Sequence, residues 1–354
     1  GFGRTKREIG LEYCMELAHR YSDSIYHKKI LIIGPYPPPN GGVEIHIKRV
    51  KQKLESQKNI VSVFNTALDK NNKPKSIFSL LRLFFKKNPE IIYLHEPTIS
   101  RLRLWIATLI KLLFEVSIVT IDHNCRILYT YSNLNKRIFR FCMKQTDENI
   151  VIGDTTDKCY KDNLVATNKY SIESPYLPPN TNEEETIFKR YPIEIQTFIS
   201  THSPLITANA FTLSFYQGKD LYGLDMCVEL IKNLKSEYPN IGLLFALAKK
   251  GNKTQKTYLD QVQKTILELD LEKNICIFTN KNEIWPLIKK SDLFVRPTLS
   301  DGHSLSVQEA NDLNIPVIAS NVCLRPKTSI LFENENILDF IGKTKTSLND
   351  LGTP

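Results

Sequence analysis

Short apolar runs alternate with amphipathic stretches along this chain, and the alternation predicts an α/β fold. Residues 30–34 form an apolar run that is typical of a buried parallel strand. A turn rich in proline and glycine follows, passes through Gly41 and Gly42, and leads into a helical stretch at 43–54. Strand, glycine-rich turn and helix form the opening unit of a doubly wound fold.

Two series of strands and helices follow from the same pattern. In the first series, the predicted strands are 61–65, 91–95, 116–122 and 148–152, and the predicted helices are 76–87, 99–114 and 136–144. In the second series, the predicted strands are 212–216, 242–248, 275–279, 293–295 and 316–319, and the predicted helices are 225–237, 254–268, 283–290 and 304–313. Strands separated by helices favour parallel sheets with right-handed crossovers.

The length of 354 residues suits two domains. We expect a helical N-terminal extension at 1–28, a first Rossmann-like domain at 29–177 and a second at 201–335. Segment 178–200 is rich in proline and acidic residues and is typical of a linker. Residues 336–354 are expected to form a C-terminal helix or tail. The start without a methionine suggests a piece of a longer protein, and the apolar runs are too short to span a bilayer.

Charge is distributed unevenly over the chain. Residues 1–150 carry 25 Lys and Arg against 13 Asp and Glu, whereas the remainder carries 22 against 25, which together give the net charge of +9. Because no helix-turn-helix, zinc-finger or RNA-recognition signature accompanies the basic half, nucleic acid is not expected as a partner. The basic amphipathic helices at 76–87, 101–114 and 136–144 leave open contact with an anionic membrane surface, although most such helices simply pack against a sheet.

The seven cysteines are scattered and never spaced as Cys-x-x-Cys. A disulfide framework or a zinc site is therefore not expected, and buried or idle thiols in a reducing cytoplasm fit this pattern best. We expect a cytoplasmic protein, with peripheral attachment to the inner face of the cell membrane left open.

Residues 291–310 carry the most informative chemistry. A buried strand is predicted to end near Arg296, a loop of small residues follows, and a helix is predicted to begin near Ser304. Ligands in open α/β sheets bind beyond the carboxyl ends of the strands. The free N–H groups at the start of the helix would point into that region, where they favour a phosphate.

This segment resembles the retaining GT-B glycosyltransferases of family 4, whose hallmark is two acidic residues separated by seven others. Asp301-x7-Glu309 matches this spacing, with Asp in the first place. Residues 314–320 resemble the family's Gly-x-Pro-Val-Ile-Ala-Ser segment, residues 34–46 resemble its proline- and glycine-rich opening, and Asp122-His123 lies where members place a histidine. The resemblance covers roughly 29–335 and implies two Rossmann-like domains whose parallel sheets face each other across a cleft.

The resemblance also implies roles for these residues. Glu309 would hold the ribose hydroxyls of the donor, Asp301 would contact the transferred sugar, and His123 would hydrogen-bond that sugar near its reacting carbon. The diphosphate would be held by backbone N–H groups around His303, Ser304, Leu305 and Ser306, and Gly41 and Gly42 would let the backbone approach closely. No metal and no cofactor is expected beyond the substrate, a nucleotide sugar for which UDP is favoured.

Two departures from the family pattern bear on the phosphate site. Members stabilise the leaving diphosphate with an Arg and a Lys five residues apart, and alignment on Tyr222-Gly223-Leu224-Asp225 places Gln217 and Tyr222 there. Lys219 or Arg296 would have to substitute for this pair. Residues 246–249 also replace the glycine-bearing strand end that members share.

Each of these residues also has a structural interpretation. Ser306-x-x-Glu309 has the spacing of a capping box, and Asp301-Gly302 is an ordinary turn pair. His123 could be a hydrogen-bonded histidine at the end of a strand. Lys219 could be a solvated lysine, and His46 and His95 are expected to be structural.

The predicted function is therefore a retaining, metal-independent hexosyltransferase. It would transfer a sugar to a glycan or lipid-linked acceptor in surface polysaccharide synthesis. A nucleotide-sugar epimerase and a non-catalytic GT-B domain are the alternatives, and the missing Arg/Lys pair motivates the second.

Overall fold

The computed structural model describes residues 26–37, 41–67, 76–166, 169–174, 176–279, 281–301 and 304–352. The chain forms two compact units. Of the described residues, the first unit contains those of 26–37 and 42–177, and the second contains Gly41 and those from Pro178 onwards. Almost all of the predicted helical extension at 1–28 lies outside the described residues.

The first unit is built on a parallel sheet of six strands in the order β2-β1-β3-β4-β5-β6. Its strands are β1 (Lys29–Gly34), β2 (Ile60–Asn65), β3 (Ile91–His95), β4 (Ser117–Asp122), β5 (Glu148–Ile152) and β6 (Tyr170–Glu173). Its helices are α1 (Gly42–Ser56), α2 (Ile77–Lys87), α3 (Arg101–Leu113), α4 (Asn133–Lys144) and α5 (Asp154–Asp162), with a 3-10 turn at Arg126–Thr130. The helices connect successive strands, as parallel pairing requires.

Strand β1 shows why the two faces of this sheet are both covered. Successive side chains of a strand point to opposite faces. Ile30 and Ile32 belong to the apolar cluster that includes buried residues of α1, whereas Leu31 and Ile33 belong to the cluster that includes buried residues of α2, α3 and α4. The continuous apolar run of β1 therefore reflects burial on both sides.

The second unit contains another six-stranded parallel sheet, in the order β11-β10-β7-β12-β13-β14. Its sheet strands are β7 (Leu205–Ala210), β10 (Gly242–Leu247), β11 (Ile275–Thr279), β12 (Leu293–Arg296), β13 (Val317–Ser320) and β14 (Ile330–Phe332), and a short antiparallel hairpin is formed by β8 (Phe215–Tyr216) and β9 (Lys219–Asp220). Its helices are α6 (Glu184–Phe188), α7 (Ile193–Thr201), α8 (Leu224–Leu234), α9 (Lys253–Glu268), α10 (Trp285–Lys289), α11 (Leu305–Asp312) and α12 (Ile337–Asp350), with a 3-10 turn at Thr181–Glu183.

Segment 178–200, which the sequence presents as a linker, is part of the second unit. It contains α6 and most of α7. Ile187, Tyr191 and Ile195 are buried in one apolar cluster with Leu244 and Trp285. The apolar residues between the acidic ones are therefore packed, and the polar composition of the segment concealed them.

The predicted strand at 212–216 is wrong. The strand at that point in the series is β7, which ends at Ala210, and Phe215 and Tyr216 lie exposed in the short hairpin. The strand was predicted at 212–216 because Phe215 and Tyr216 are aromatic and aromatic side chains favour strands. Thr207 and Asn209 interrupt the apolar pattern of β7 and hid it.

Cys125 and Cys159 are paired as a disulfide, with their Cα atoms 6.4 Å apart. The expectation of buried or idle thiols is therefore wrong for these two, which are buried but paired. Both are buried in the first unit, and they are 34 positions apart in sequence. Their pairing depends on the packing of α5 against the turn after β4, which no local spacing reveals.

Substitution of Gly223 tests whether the start of α8 packs closely against the loop after β12. It precedes α8 with a φ of +67°, and a Cβ there would lie 2.3 Å from the carbonyl oxygen of Pro297. Gly223→Ala is therefore expected to lower the free energy of unfolding by about 2 kcal/mol or more, measured by urea denaturation.

Gly342→Ala is the matched control. Gly342 lies within α12, and a Cβ there would meet no atom within 4 Å. This substitution is expected to raise the free energy of unfolding by about 0.5–1 kcal/mol, because alanine favours a helix interior. Equal stability of the two variants would contradict the close packing at Gly223.

Candidate functional site

In the second unit, polar groups converge where β7 and β12 end side by side. Arg296 is the last residue of β12, and β12 pairs with β7, which contains Asn209. The Arg296 Nη1 donates to the carbonyl oxygen of Asn209 at 2.8 Å, and its Nε donates to Oδ2 of Asp301 at 3.0 Å. The guanidinium group of Arg296 thus connects the end of β7 with the loop that follows β12.

A second arginine binds the same carboxylate. The Nη1 of Arg325, which lies after β13, donates to Oδ2 of Asp301 at 2.9 Å. The exposed fractions of the Arg296, Arg325 and Asp301 side chains are 9%, 1% and 13%. Burial opposes ionisation of Asp301, but the two guanidinium groups together hold its pKa below the ordinary value. The three side chains carry a net charge of +1, which favours an anion.

Helix α11 begins directly after this loop. Its N-cap residue is Ser304, whose buried hydroxyl makes no capping bond and has no hydrogen-bond partner among the described residues. The first N–H groups of a helix have no acceptor within that helix. The start of α11 therefore offers an unpaired hydroxyl and N–H groups to a ligand.

Ser306 and Glu309 do not form a capping box. Ser306 lies inside α11, and its hydroxyl donates to Oδ1 of Asn209 at 2.8 Å. Glu309 lies in the second turn of α11 and is 4% exposed. The capping interpretation of the sequence is therefore excluded for these residues. Ser306 thus lies next to the end of β7.

Lys219 lies apart from this group. It is in the hairpin strand β9, its side chain is mostly exposed, and it forms an ion pair with Glu335. Among the described residues, no contact joins Lys219 to Arg296 or Asp301. Of the two candidates for the missing Arg/Lys pair, the structure therefore brings Arg296 into the group and leaves Lys219 outside it. His303 lies outside the described residues.

In the first unit, His123 follows β4 and is in contact with two other histidines. Its ring centroid is 4.7 Å from that of His46, and its Nε2 is 3.4 Å from the Nδ1 of His95. Burial and the neighbouring histidines lower the pKa of His123 and of His95 well below the ordinary value. These two imidazoles are therefore neutral at physiological pH. The sequence did not indicate that His46 and His95 would surround His123.

Asp122 anchors the segment that presents His123. Its buried carboxylate accepts hydrogen bonds from the Tyr160 hydroxyl at 2.8 Å, from the Thr98 hydroxyl at 3.2 Å and from the Asn124 N–H at 3.3 Å. Burial raises its pKa, and these hydrogen bonds act in the opposite direction. The loop after β4 is thereby fixed at the carboxyl edge of the first sheet.

Glu96 follows β3 at the same edge. It adopts a φ of +53°, which is uncommon for a residue other than glycine, and it is half-buried. Burial, with smaller contributions from Asp122 and Glu44, raises the pKa of Glu96 to about 7. Strained backbone and a shifted carboxyl often occur together at functional sites.

Gly41 and Gly42 precede and open α1. A Cβ at Gly42 would meet no atom within 4 Å, so the packing of the chain itself does not require glycine there.

Throughout the described ranges, no group of three or more His, Cys, Asp or Glu side chains is arranged to hold a metal ion.

The second unit matches a known family. Residues 204–340 match the family model described as Glycosyl transferases group 1, and this range contains all strands of the second sheet together with Arg296, Asp301, Arg325 and α11. No curated protein matches the chain significantly.

Solved structures are similar over nearly the whole chain. A glycosyltransferase from Rickettsia africae ESF-5 aligns with a TM-score of 0.60 at 15% identity, over 93% of this chain and 90% of that one. Sucrose-phosphate synthase from Thermosynechococcus elongatus gives 0.58 at 13% identity, over 92% and 90%. Anabaena Alr3699/HepE in complex with UDP gives 0.57 at 12% identity, over 91% and 90%.

The chain has the GT-B fold. The predicted class, with two Rossmann-like domains, is thereby confirmed. Fold and family match together support a glycosyltransferase of the GT-B type.

Two members of the site in the second unit are absent from the residues that the sequence indicates. Arg325 lies in a loop 24 residues after Asp301, and no periodicity or motif marks it. Asn209 lies in the strand that the sequence pattern missed. The burial of Asp301, which requires a cationic partner, becomes visible only in the structure.

Asp301→Asn tests the double ion pair. The substitution leaves two nearly buried guanidinium groups without their carboxylate, so the free energy of unfolding is expected to fall by about 2–4 kcal/mol at pH 7 in urea denaturation. Asp260→Asn, at an exposed position of α9, is the control and is expected to change stability by less than about 0.5 kcal/mol. Equal changes in the free energy of unfolding for the two variants would exclude a stabilising role for the ion pairs of Asp301.

Glu96→Gln tests the shifted carboxyl. Because the pKa of Glu96 is raised in the folded state from 4.5 to about 7, the folded protein binds the extra proton, and the stability from Glu96 is lost as pH rises through this range. We expect Glu96→Gln to stabilise the protein at pH 8 by about 1–2 kcal/mol, allowing for partial exposure, and to have little effect at pH 4. A stability difference that does not depend on pH would contradict this assignment.

Proposed function

We propose that this protein is a glycosyltransferase that uses a nucleotide-diphosphate sugar, with UDP favoured as the nucleotide. The observation that carries the proposal is the group at the end of β12. Two buried arginines with a net positive charge lie beside a helix start that presents an unpaired, buried hydroxyl. This group lies within the segment that matches the glycosyltransferase family.

The donor diphosphate would bind at the start of α11. N–H groups at a helix start favour an anion, and the Ser304 hydroxyl can donate to a phosphate oxygen without losing another partner. Glu309 would bind the ribose hydroxyls, and Asp301 would contact the sugar while it orients Arg296. The solved Anabaena Alr3699/HepE complexes with UDP and UDP-glucose support a uridine donor for this fold.

Arg296 would replace the cationic pair that the resemblance leads one to expect. Its guanidinium carbon lies 5.0 Å from the ring centroid of Tyr222, the residue at the place of the usual lysine. The positive charge is thus supplied from β12 next to that position. This contact favours an enzyme over a non-catalytic GT-B domain. This contact does not bear on the epimerase alternative. Analysis of the reaction products would distinguish an epimerase from a glycosyltransferase.

Catalysis would rest on positioning and on charge stabilisation, without a metal. In a retaining reaction the leaving phosphate would take the proton of the acceptor hydroxyl. A neutral His123 can hydrogen-bond a sugar hydroxyl without adding charge near the reacting carbon. Gly42 would leave room for the ligand, since a Cβ there meets nothing in the chain.

We further propose a glycan or lipid-linked acceptor and a role in the synthesis of a surface polysaccharide. A cytoplasmic protein with peripheral contact to an anionic membrane surface accords with such an acceptor. In the described part of the chain, no helix has the length and apolar character to cross a membrane.

Nucleotide binding tests the proposal directly. Thermal stabilisation would be measured with UDP, GDP, ADP and CMP, each with and without EDTA. A ligand at a hundred times its dissociation constant adds about 2.7 kcal/mol, enough to raise the Tm by a few degrees. We expect stabilisation by UDP that EDTA does not change. No stabilisation by any nucleotide would argue for the non-catalytic domain.

Ser304→Ala locates the site. Because the Ser304 hydroxyl has no hydrogen-bond partner among the described residues, its removal is expected to leave the Tm without ligand nearly unchanged and to weaken UDP binding about tenfold. Ser171→Ala is the control, since the Ser171 hydroxyl in β6 is also buried and has no hydrogen-bond partner in the part of the chain that the structure describes. UDP affinity that is the same in both variants would place the diphosphate elsewhere.

A further inference from the structure

Helices α2, α3 and α4 form an unusually basic layer on one face of the first sheet. They contain three, three and four Lys or Arg residues, and not one Asp or Glu. Buried residues of all three helices belong to a single apolar cluster, so the helices cover the same face of the sheet. We call the outer surface of these three helices the basic apolar face.

Helix α3 is apolar on its outer side as well as on its inner side. Leu104, Ala107 and Ile110 are buried against the sheet. Leu102, Trp105, Leu109, Leu112 and Leu113 recur at three- or four-residue spacing on the opposite side, and they are 40–76% exposed. A helix of a soluble protein has one apolar stripe, so a second stripe indicates a second apolar contact.

The neighbouring helices extend this apolar surface. Phe78 and Phe85 of α2 and Ile138 and Phe141 of α4 are all exposed. A groove of about 820 Å³ opens between the three helices, and Trp105 is one of its lining residues. The exposed stripe of α3 is therefore continuous with apolar side chains on both sides.

Cations lie among these apolar side chains. Arg82, Lys86 and Lys87 of α2 and Arg137 of α4 are exposed. None of these four has an ion-pair partner within the described ranges. Lys111 of α3 pairs with Asp147, which lies outside the three helices. The face thus combines exposed apolar side chains with positive charge that its own residues do not neutralise.

We propose that the basic apolar face docks on an anionic phospholipid bilayer. Exposed Trp, Leu and Phe side chains would enter the boundary between headgroups and acyl chains, and the surrounding Lys and Arg would bind lipid phosphates. A second copy of the chain fits poorly, because two such faces would bring like charges together. Nucleic acid fits poorly too, because phosphates offer no contact for the stripe of α3.

The inference rests on the membrane part of the proposed function and names the surface that carries it. Donor binding and membrane docking can fail separately. Vesicle binding requires no nucleotide, and UDP binding in the second unit requires no membrane.

Co-sedimentation with vesicles tests the proposal. The full chain would be mixed with vesicles of phosphatidylcholine alone or with roughly a third phosphatidylglycerol. We expect binding to the anionic vesicles only, weakening as salt is raised. A triple variant, Arg82→Gln with Lys86→Gln and Lys87→Gln, is expected to bind them about a hundredfold more weakly, at about fivefold per cation.

The apolar stripe is tested separately. Leu102→Ser with Leu113→Ser removes two exposed leucines of α3 and is expected to weaken binding about tenfold. Controls are Leu267→Ser, an exposed leucine of α9, and the triple exchange of the exposed Lys256, Lys273 and Lys343 for Gln. We expect these controls to bind like the unchanged chain. Unchanged Tm and UDP affinity would show that every variant is folded.

Three results would overturn the proposal. The first is equal binding to neutral and anionic vesicles. The second is binding that the variants of the face retain to the same degree as the controls. The third is dimerisation that the variants of the face abolish while vesicle binding is absent, which would assign the face to a second copy of the chain.

Discussion

The carboxylate of Asp301 lies between two guanidinium groups that are almost fully buried, and the candidate site in the second unit depends on this arrangement. A guanidinium group taken out of water is costly unless a carboxylate and further hydrogen bonds satisfy it. Asp301 meets that need for Arg296 and Arg325 at once, and the carbonyl of Asn209 adds a further acceptor. The excess of one positive charge then remains available to a ligand.

The regular part of the fold is predictable because burial on both sides leaves a simple signature. Strand β1 is a continuous apolar run between α1 on one face and α2–α4 on the other, so its composition alone indicates a parallel sheet. Strand β7 carries Thr207 and Asn209 because these side chains bond to Ser291 and Ser306. Asn209, which connects β7 to the site, is therefore one of the two residues that interrupt the apolar pattern of this strand.

The site itself was predictable only where it is local in sequence. Arg296, Asp301, Ser304 and Ser306 lie within one strand, loop and helix, so a single segment indicates them together. Arg325 and the histidines around His123 come from other elements, and the tertiary fold alone brings them together. The same holds for Cys125 and Cys159. A motif reports neighbours along the chain, whereas these contacts depend on which strands pair in the sheet.

Charged side chains are arranged differently in the two units. In the second unit, two buried arginines are paired with the single carboxylate of Asp301. In the first unit, buried histidines are held neutral, and the positive charge is placed on the outer helices without acidic residues beside it. Mutual repulsion among these cations costs stability, but it also keeps copies of an apolar surface apart. The same lysines and arginines that oppose self-association of the face favour the anionic surface that we propose as its partner.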